Sequence, residues 1–155
     1  MTDAGLRAEL KKYLSQHYRN ESPEETQYIY DCDLGEINLG EMEPGFSETV
    51  VALAHKKYRR QSDFCARAGL SRQLFTMMKT NPDYLPYKHN AFACVVALEL
   101  ELPDAEALLR RGSYAFSKSS LMDLIVRFFI SKRIYDIDRI NEVLDDYGQH
   151  TLGSI

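Results

Sequence analysis

The chain has 155 residues, 45% of them hydrophobic and 27% charged, with a formal net charge of −4. That length suits one domain with an extension, and the composition is that of an ordinary globular protein, which excludes low-complexity, fibrous and disulfide-stapled classes. No apolar run approaches the roughly 18–20 residues needed to cross a bilayer, and the start Met1-Thr2-Asp3-Ala4-Gly5 lacks the pattern of a secretory signal, so a cytoplasmic location with no membrane contact is expected.

From Leu6 to Tyr18 the apolar residues Leu6, Leu10, Tyr13, Leu14 and Tyr18 recur at spacings of three and four, which predicts an amphipathic helix. Its stripe needs a cover: the body of the domain, a second copy, or another protein. Residues 19–45 carry Pro23, Gly35, Gly40, Pro44 and Gly45 among eight carboxylates, which is linker composition. Tyr28, Ile29 and Tyr30 offer a short extended segment within it. A solvated linker is one reading; a polyanionic strip that shields a basic face is the other. Residues 1–45 are accordingly set apart from a helical body at 46–155.

The first body helix is expected over Ser47 to Arg60, capped by Ser47 and ending in Lys56-Lys57-Tyr58-Arg59-Arg60. Two short helices follow within residues 61–80. Gly69 stands where the first must stop and the chain must turn, a position that favours positive φ. Leu70 is the buried turn residue, and Ser71 is placed to cap the second helix as Ser62 is for the first. Phe64, Ala68, Leu70, Leu74, Phe75 and Met78 face inward, which leaves Arg67, Arg72, Gln73, Thr76 and Lys79 outward.

A Pro-broken loop, Thr80 to His89, precedes helices expected at Asn90–Glu101 and Pro103–Arg111, with Pro103 in a first turn. Lys88, His89 and Asn90 are candidates for phosphate contact at the start of the first of these. Ser120-Leu121-Met122-Asp123 reads as a capping box opening a strongly apolar helix, Leu121–Lys132, and a last helix spans Ile137 to Tyr147; these two are expected to form a hairpin.

Charge is unevenly distributed. Residues 1–46 carry four Lys/Arg against ten Asp/Glu, residues 47–116 carry ten against seven, and residues 117–155 carry five against six. The cations therefore gather around the paired short helices.

Chemistry-bearing patterns are few. Cys32, Cys65 and Cys94 form no CxxC pair, and Cys65 and Cys94 fall on helical apolar faces. His17, His55, His89 and His150 lie in separate elements and are expected as single surface residues. No phosphate-binding glycine loop or nucleophile-elbow motif occurs. No metal, no cofactor and no enzymatic activity are expected.

The run Ala66 or Ala68, Gly69, Leu70, Ser71, followed by Arg72 and Gln73, resembles the helix-turn-helix of the Cro/repressor (Xre-like) family, and Phe46 to Phe116 resembles the wider five-helix unit. Nearly the whole chain also resembles small helix-turn-helix proteins of unassigned role from anaerobic Gram-positive bacteria, through Ser117-Lys118-Ser119-Ser120, Ile134-Tyr135-Asp136-Ile137, Ile140-Asn141-Glu142 and Leu152-Gly153. In some members this module follows a macro-type domain.

The resemblance implies an all-α fold: a repressor-like five-helix helix-turn-helix bundle with an N-terminal amphipathic helix and a C-terminal helical hairpin. It implies a dimeric, sequence-specific regulator of transcription on double-stranded DNA. Arg72, Gln73 and Thr76 would read bases, and Arg59, Arg60, Ser62, Ser71, Lys79 and Lys88 would hold phosphates. The rival expectation is a non-enzymatic interaction module, an adaptor or inhibitor in phage-host conflict or stress, that takes a protein partner through Leu6 to Tyr18.

Overall fold

A computed structural model of the chain describes residues 2–18 and 42–153. Residues 28–30 and Cys32 lie outside the described residues, as does most of the acidic linker. Eight helices and no strands occur among the described residues, so the fold is all-α.

Helix α1 (Asp3–His17) begins three residues before the apolar pattern does, because Thr2 caps it: the Thr2 hydroxyl accepts from the Gly5 N–H at 3.1 Å. Leu6, Leu10 and Leu14 form one buried line along it. Helix α2 (Phe46–Lys57) leads to the pair α3 (Gln61–Ala68) and α4 (Arg72–Thr80). Helices α5 (Lys88–Ala97) and α6 (Leu102–Arg110) come next, and α7 (Leu121–Ser131) and α8 (Ile137–Asp146) complete the chain.

Helix α5 is the hub. Residues 90–97 are all buried, and a helix apolar on every side must be wrapped by others. Helices α3, α6 and α8 pack on it, while α2 packs on α4 and α6. The C-terminal hairpin does not stand apart: α7 packs on α6 and α1, and α8 on α5. Leu6, Leu10 and Leu14 thereby join one apolar core that runs through to Leu152. The stripe of α1 is thus covered by its own chain. Ion pairs fasten its polar edges, Arg7 to Asp146 at 2.7 Å and Lys132 to Glu9 at 2.7 Å.

Several expected boundaries shift for identifiable reasons. Gly45, not Ser47, is the N-cap of α2, and no side chain caps it. Ser47 is buried and donates instead to the carbonyl of Tyr84, which pins the loop after α4. Tyr58 leaves helical geometry at φ −111°, so Arg59 and Arg60 sit in the connection to α3 rather than on α2. Helix α5 starts at Lys88, which makes Asn90 an interior, buried residue, and it stops at Ala97 because Glu99 turns left-handed at φ 54°. That conformation costs a residue with a Cβ about 1–2 kcal/mol. Offsetting contacts are present: the Glu99 carboxylate meets Lys57 at 2.9 Å and Arg67 at 3.6 Å.

The C-terminal segment closes the bundle. The Asn141 side chain accepts from the Leu152 N–H at 2.7 Å and donates to the Leu152 carbonyl at 3.1 Å, a two-point clamp that lays Gly153 against Gly69.

Candidate nucleic-acid interface

Gly69 ends α3 in the left-handed region at φ 69°, and the Leu70 N–H reaches back to the Cys65 carbonyl at 2.9 Å. Leu70 is 1% exposed and anchors the turn. Ser71 then caps α4 by accepting from the Leu74 N–H at 3.1 Å. Its own proton remains available to donate outward, since a hydroxyl both donates and accepts. Ser62, by contrast, caps nothing. Helix α3 begins at Gln61 with Arg60 as its N-cap, and no side-chain bond is made there.

Phe64 and Phe75 hold the two helices together, their rings 5.5 Å apart, and Phe75 and Met78 bury the inner face of α4. Arg72, Gln73, Thr76, Met77 and Lys79 are all exposed. The sequence Arg-Gln-Leu-Phe-Thr-Met-Met-Lys-Thr places no carboxylate anywhere on α4, within a chain of net charge −4. The positive end of the helix dipole and the free N–H groups of the first turn lie beside Arg72 and Gln73. Met77, 47% exposed, is an addition to the expected set. Its spacing of four from Gln73 is the signal that places it on their face.

The remaining candidates divide. Arg59, Arg60, Ser62 and Lys79 are exposed, and Ser71 is half-buried. Lys88 is committed elsewhere. Its ammonium pairs with the carboxylate of Asp123, a side chain 1% exposed, which also accepts from the Ser117 N–H at 2.8 Å and the Ser120 hydroxyl at 3.0 Å. A buried carboxylate needs a charge partner, and Lys88 supplies it.

Arg67 and Lys57, near the same turn, are drawn to Glu99. Burial pushes the Cys65 thiol up from its ordinary range, an effect that the neighbouring Arg72 charge partly offsets. The Cys94 thiol, fully enclosed in α5, is pushed up further by the same cause. In both, burial disfavours the thiolate that nucleophilic chemistry requires.

The histidines are not all solitary. His89 and His150, 61 residues apart in the chain, bring their rings to 4.2 Å, and Tyr87 stacks beside His89 at 5.9 Å. Among the described residues no group of three or more His, Cys, Asp or Glu side chains is placed to hold a metal ion. No described helix is long and apolar enough to cross a membrane. Comparison of the chain with protein-family models, curated proteins and solved structures gives no match.

Proposed function

We propose that the chain binds duplex DNA through α4 as a repressor-like regulator of transcription, with α2 to α6 as the five-helix unit and α3 and α4 as its helix-turn-helix. One observation carries the reading: a capped, carboxylate-free helix presents Arg72, Gln73, Thr76, Met77 and Lys79 to solvent inside an acidic protein. In the major groove Arg72 pairs with guanine, Gln73 with adenine, Thr76 with either, and Met77 lies against a thymine methyl. Arg59, Arg60, Ser62, Ser71 and Lys79 hold phosphates, aided by the N-terminal N–H groups of α4. Lys88 is left out of this set because it neutralises Asp123. A second copy completes a two-fold site; since α1 is covered by its own chain, the dimer forms through another surface.

Selection of bound duplexes at rising salt tests the reading. A near-palindrome with half-sites about one helical turn apart is the expected result, and Arg72→Ala should relax preference at one position, at a cost of about 1–3 kcal/mol. Failure to retain any duplex at low salt sinks the proposal.

In that case the interaction module takes its place. It is favoured by the connection between α4 and α5, where Leu85 and Tyr87 are 54% and 78% exposed.

A further inference from the structure

On the side of the bundle where α6 meets α7, a cleft of about 380 Å³ opens beside the connection that joins them. That volume lies in the range of small-molecule sites. Its floor is apolar: Leu109 and Leu124 are buried at 0% and 2% exposure. Two aromatic side chains wall it and are held in place. Phe116 stacks on Phe92 with ring centroids 4.9 Å apart, and Tyr114 donates its hydroxyl to the Pro86 carbonyl while its ring edge meets Phe46 at 5.1 Å. Burial drives the Tyr114 phenol up to about 12, so it stays protonated and keeps that bond at any ordinary pH.

The rim is cationic. Among the described lining residues, Arg110, Lys118 and Arg127 are cations and Glu106 is the one carboxylate. Glu106 is spent on Arg127 at 3.5 Å, and Arg127 also donates to the Tyr13 hydroxyl. Arg110 has no carboxylate partner among the described residues. Arg110 therefore leaves a positive charge on the rim above an apolar base.

We propose that this cleft is a binding site for a small organic anion: an aromatic body of two or three rings lying on Leu109, Leu124 and the two aromatic walls, with one acidic group reaching Arg110. A guanidinium is the group suited to that contact, because its planar fork matches the oxygens of a carboxylate or sulfonate. Pre-formed walls lower the ordering cost of binding.

The probe is 1-anilinonaphthalene-8-sulfonate, titrated against the full chain by fluorescence and followed by amide chemical shifts. One molecule per chain is expected, with shifts concentrated at residues 110–118. N-phenyl-1-naphthylamine, which keeps the rings and lacks the sulfonate, should bind about tenfold more weakly or less. Arg110→Glu should weaken the sulfonate by about tenfold or more and leave the amine unchanged. Ala115→Glu, at an exposed lining residue with no packing to lose, should do the same. Circular dichroism confirms that both variants are folded. Absence of saturable binding, equal affinity for the two probes, or indifference to both substitutions overturns the proposal. No DNA enters the experiment, so its failure is distinct from failure of α4 to bind DNA.

Discussion

Gly153 rests on Gly69 so closely that a Cβ added to Gly153 would stand 2.8 Å from the Gly69 carbonyl oxygen and 3.1 Å from that of Ala68. Gly153 also has φ 85°. The end of the described chain thus buttresses the turn that aims α4, with Asn141 clamping Leu152 beside it. The two glycines should respond differently to alanine. Gly69→Ala strains the backbone but meets only Gly153 Cα at 3.8 Å, an ordinary contact, so it should cost about 1–2 kcal/mol. Gly153→Ala adds a backbone collision to the same strain and should cost about 2–4 kcal/mol. Urea denaturation of the two variants measures the order; equal losses would mean that the tail is not seated on the turn.

The two serines that the sequence treats alike differ in the same way. Ser71→Ala removes the only side-chain cap of α4 and should cost about 1 kcal/mol, whereas Ser62→Ala, on the exposed face of α3, should stay within about 0.5 kcal/mol. Thermal unfolding of both variants decides it.

What the sequence makes legible is what is decided locally. The line Leu6, Leu10, Leu14, the left-handed Gly69, the Ser71 cap and the Ser120 cap each depend on residues within one or two turns, and each stands where the spacing puts it. The second half of the expected box does not form, because the Ser120 N–H bonds to the Ser117 carbonyl and the Asp123 carboxylate accepts from the Ser117 N–H instead. The outward set on α4 follows from the same periodicity. Contacts between distant residues are another matter. Ser47 has the right chemistry to cap α2, but the Tyr84 carbonyl, 37 residues on, takes its hydroxyl. Lys88 looks like an exposed cation until α7 brings up Asp123, 35 residues away. His89 and His150 meet only because the closing segment folds back, and α1 is covered by α7 and tied by ion pairs to α8 at the far end of the chain. No local pattern encodes these pairings, because either partner satisfies its own helix equally well without the other.

The Lys88–Asp123 pair gives a stability test. Lys88→Met leaves a carboxylate with a 1% exposed side chain without its counter-charge and should cost about 3 kcal/mol. Adding Asp123→Asn should recover part of that loss, since the amide still accepts from Ser117 and carries no charge. A double-mutant cycle by chemical denaturation reads the coupling. Additive losses would mean that the two side chains do not meet in solution.

His89 links stability to pH. Its pKa is lowered, chiefly by burial and then by the neighbouring His150 charge. The folded state therefore resists protonation more than the unfolded chain does. That contribution to stability is fully present above the ordinary histidine value near 6.5 and is lost as pH falls through the lower folded value. Stability measured from pH 7.5 down to 5 should fall less steeply in His89→Gln than in the parent, by a slope of under about one proton. An unchanged slope would remove His89 from the acid response. His150→Gln should have a smaller effect in the same direction, because it relieves only the second cause.

Salt separates the cations that are free to meet a phosphate backbone from those already engaged. The affinity of the proposed DNA complex should fall linearly with the logarithm of salt concentration, with a slope near −0.9 for each phosphate neutralised. Arg59 and Arg60 are exposed in the connection before α3, so Arg59→Ala and Arg60→Ala should each reduce the slope by about one and weaken all duplexes alike. Arg72→Ala should instead change which duplex is preferred. The Lys88 ammonium is bound to Asp123, so Lys88→Met should lower stability while leaving the salt slope of the folded fraction where it was. A loss of one unit of slope in the Lys88 variant would return that residue to the interface and show that its bond to Asp123 opens when DNA is present.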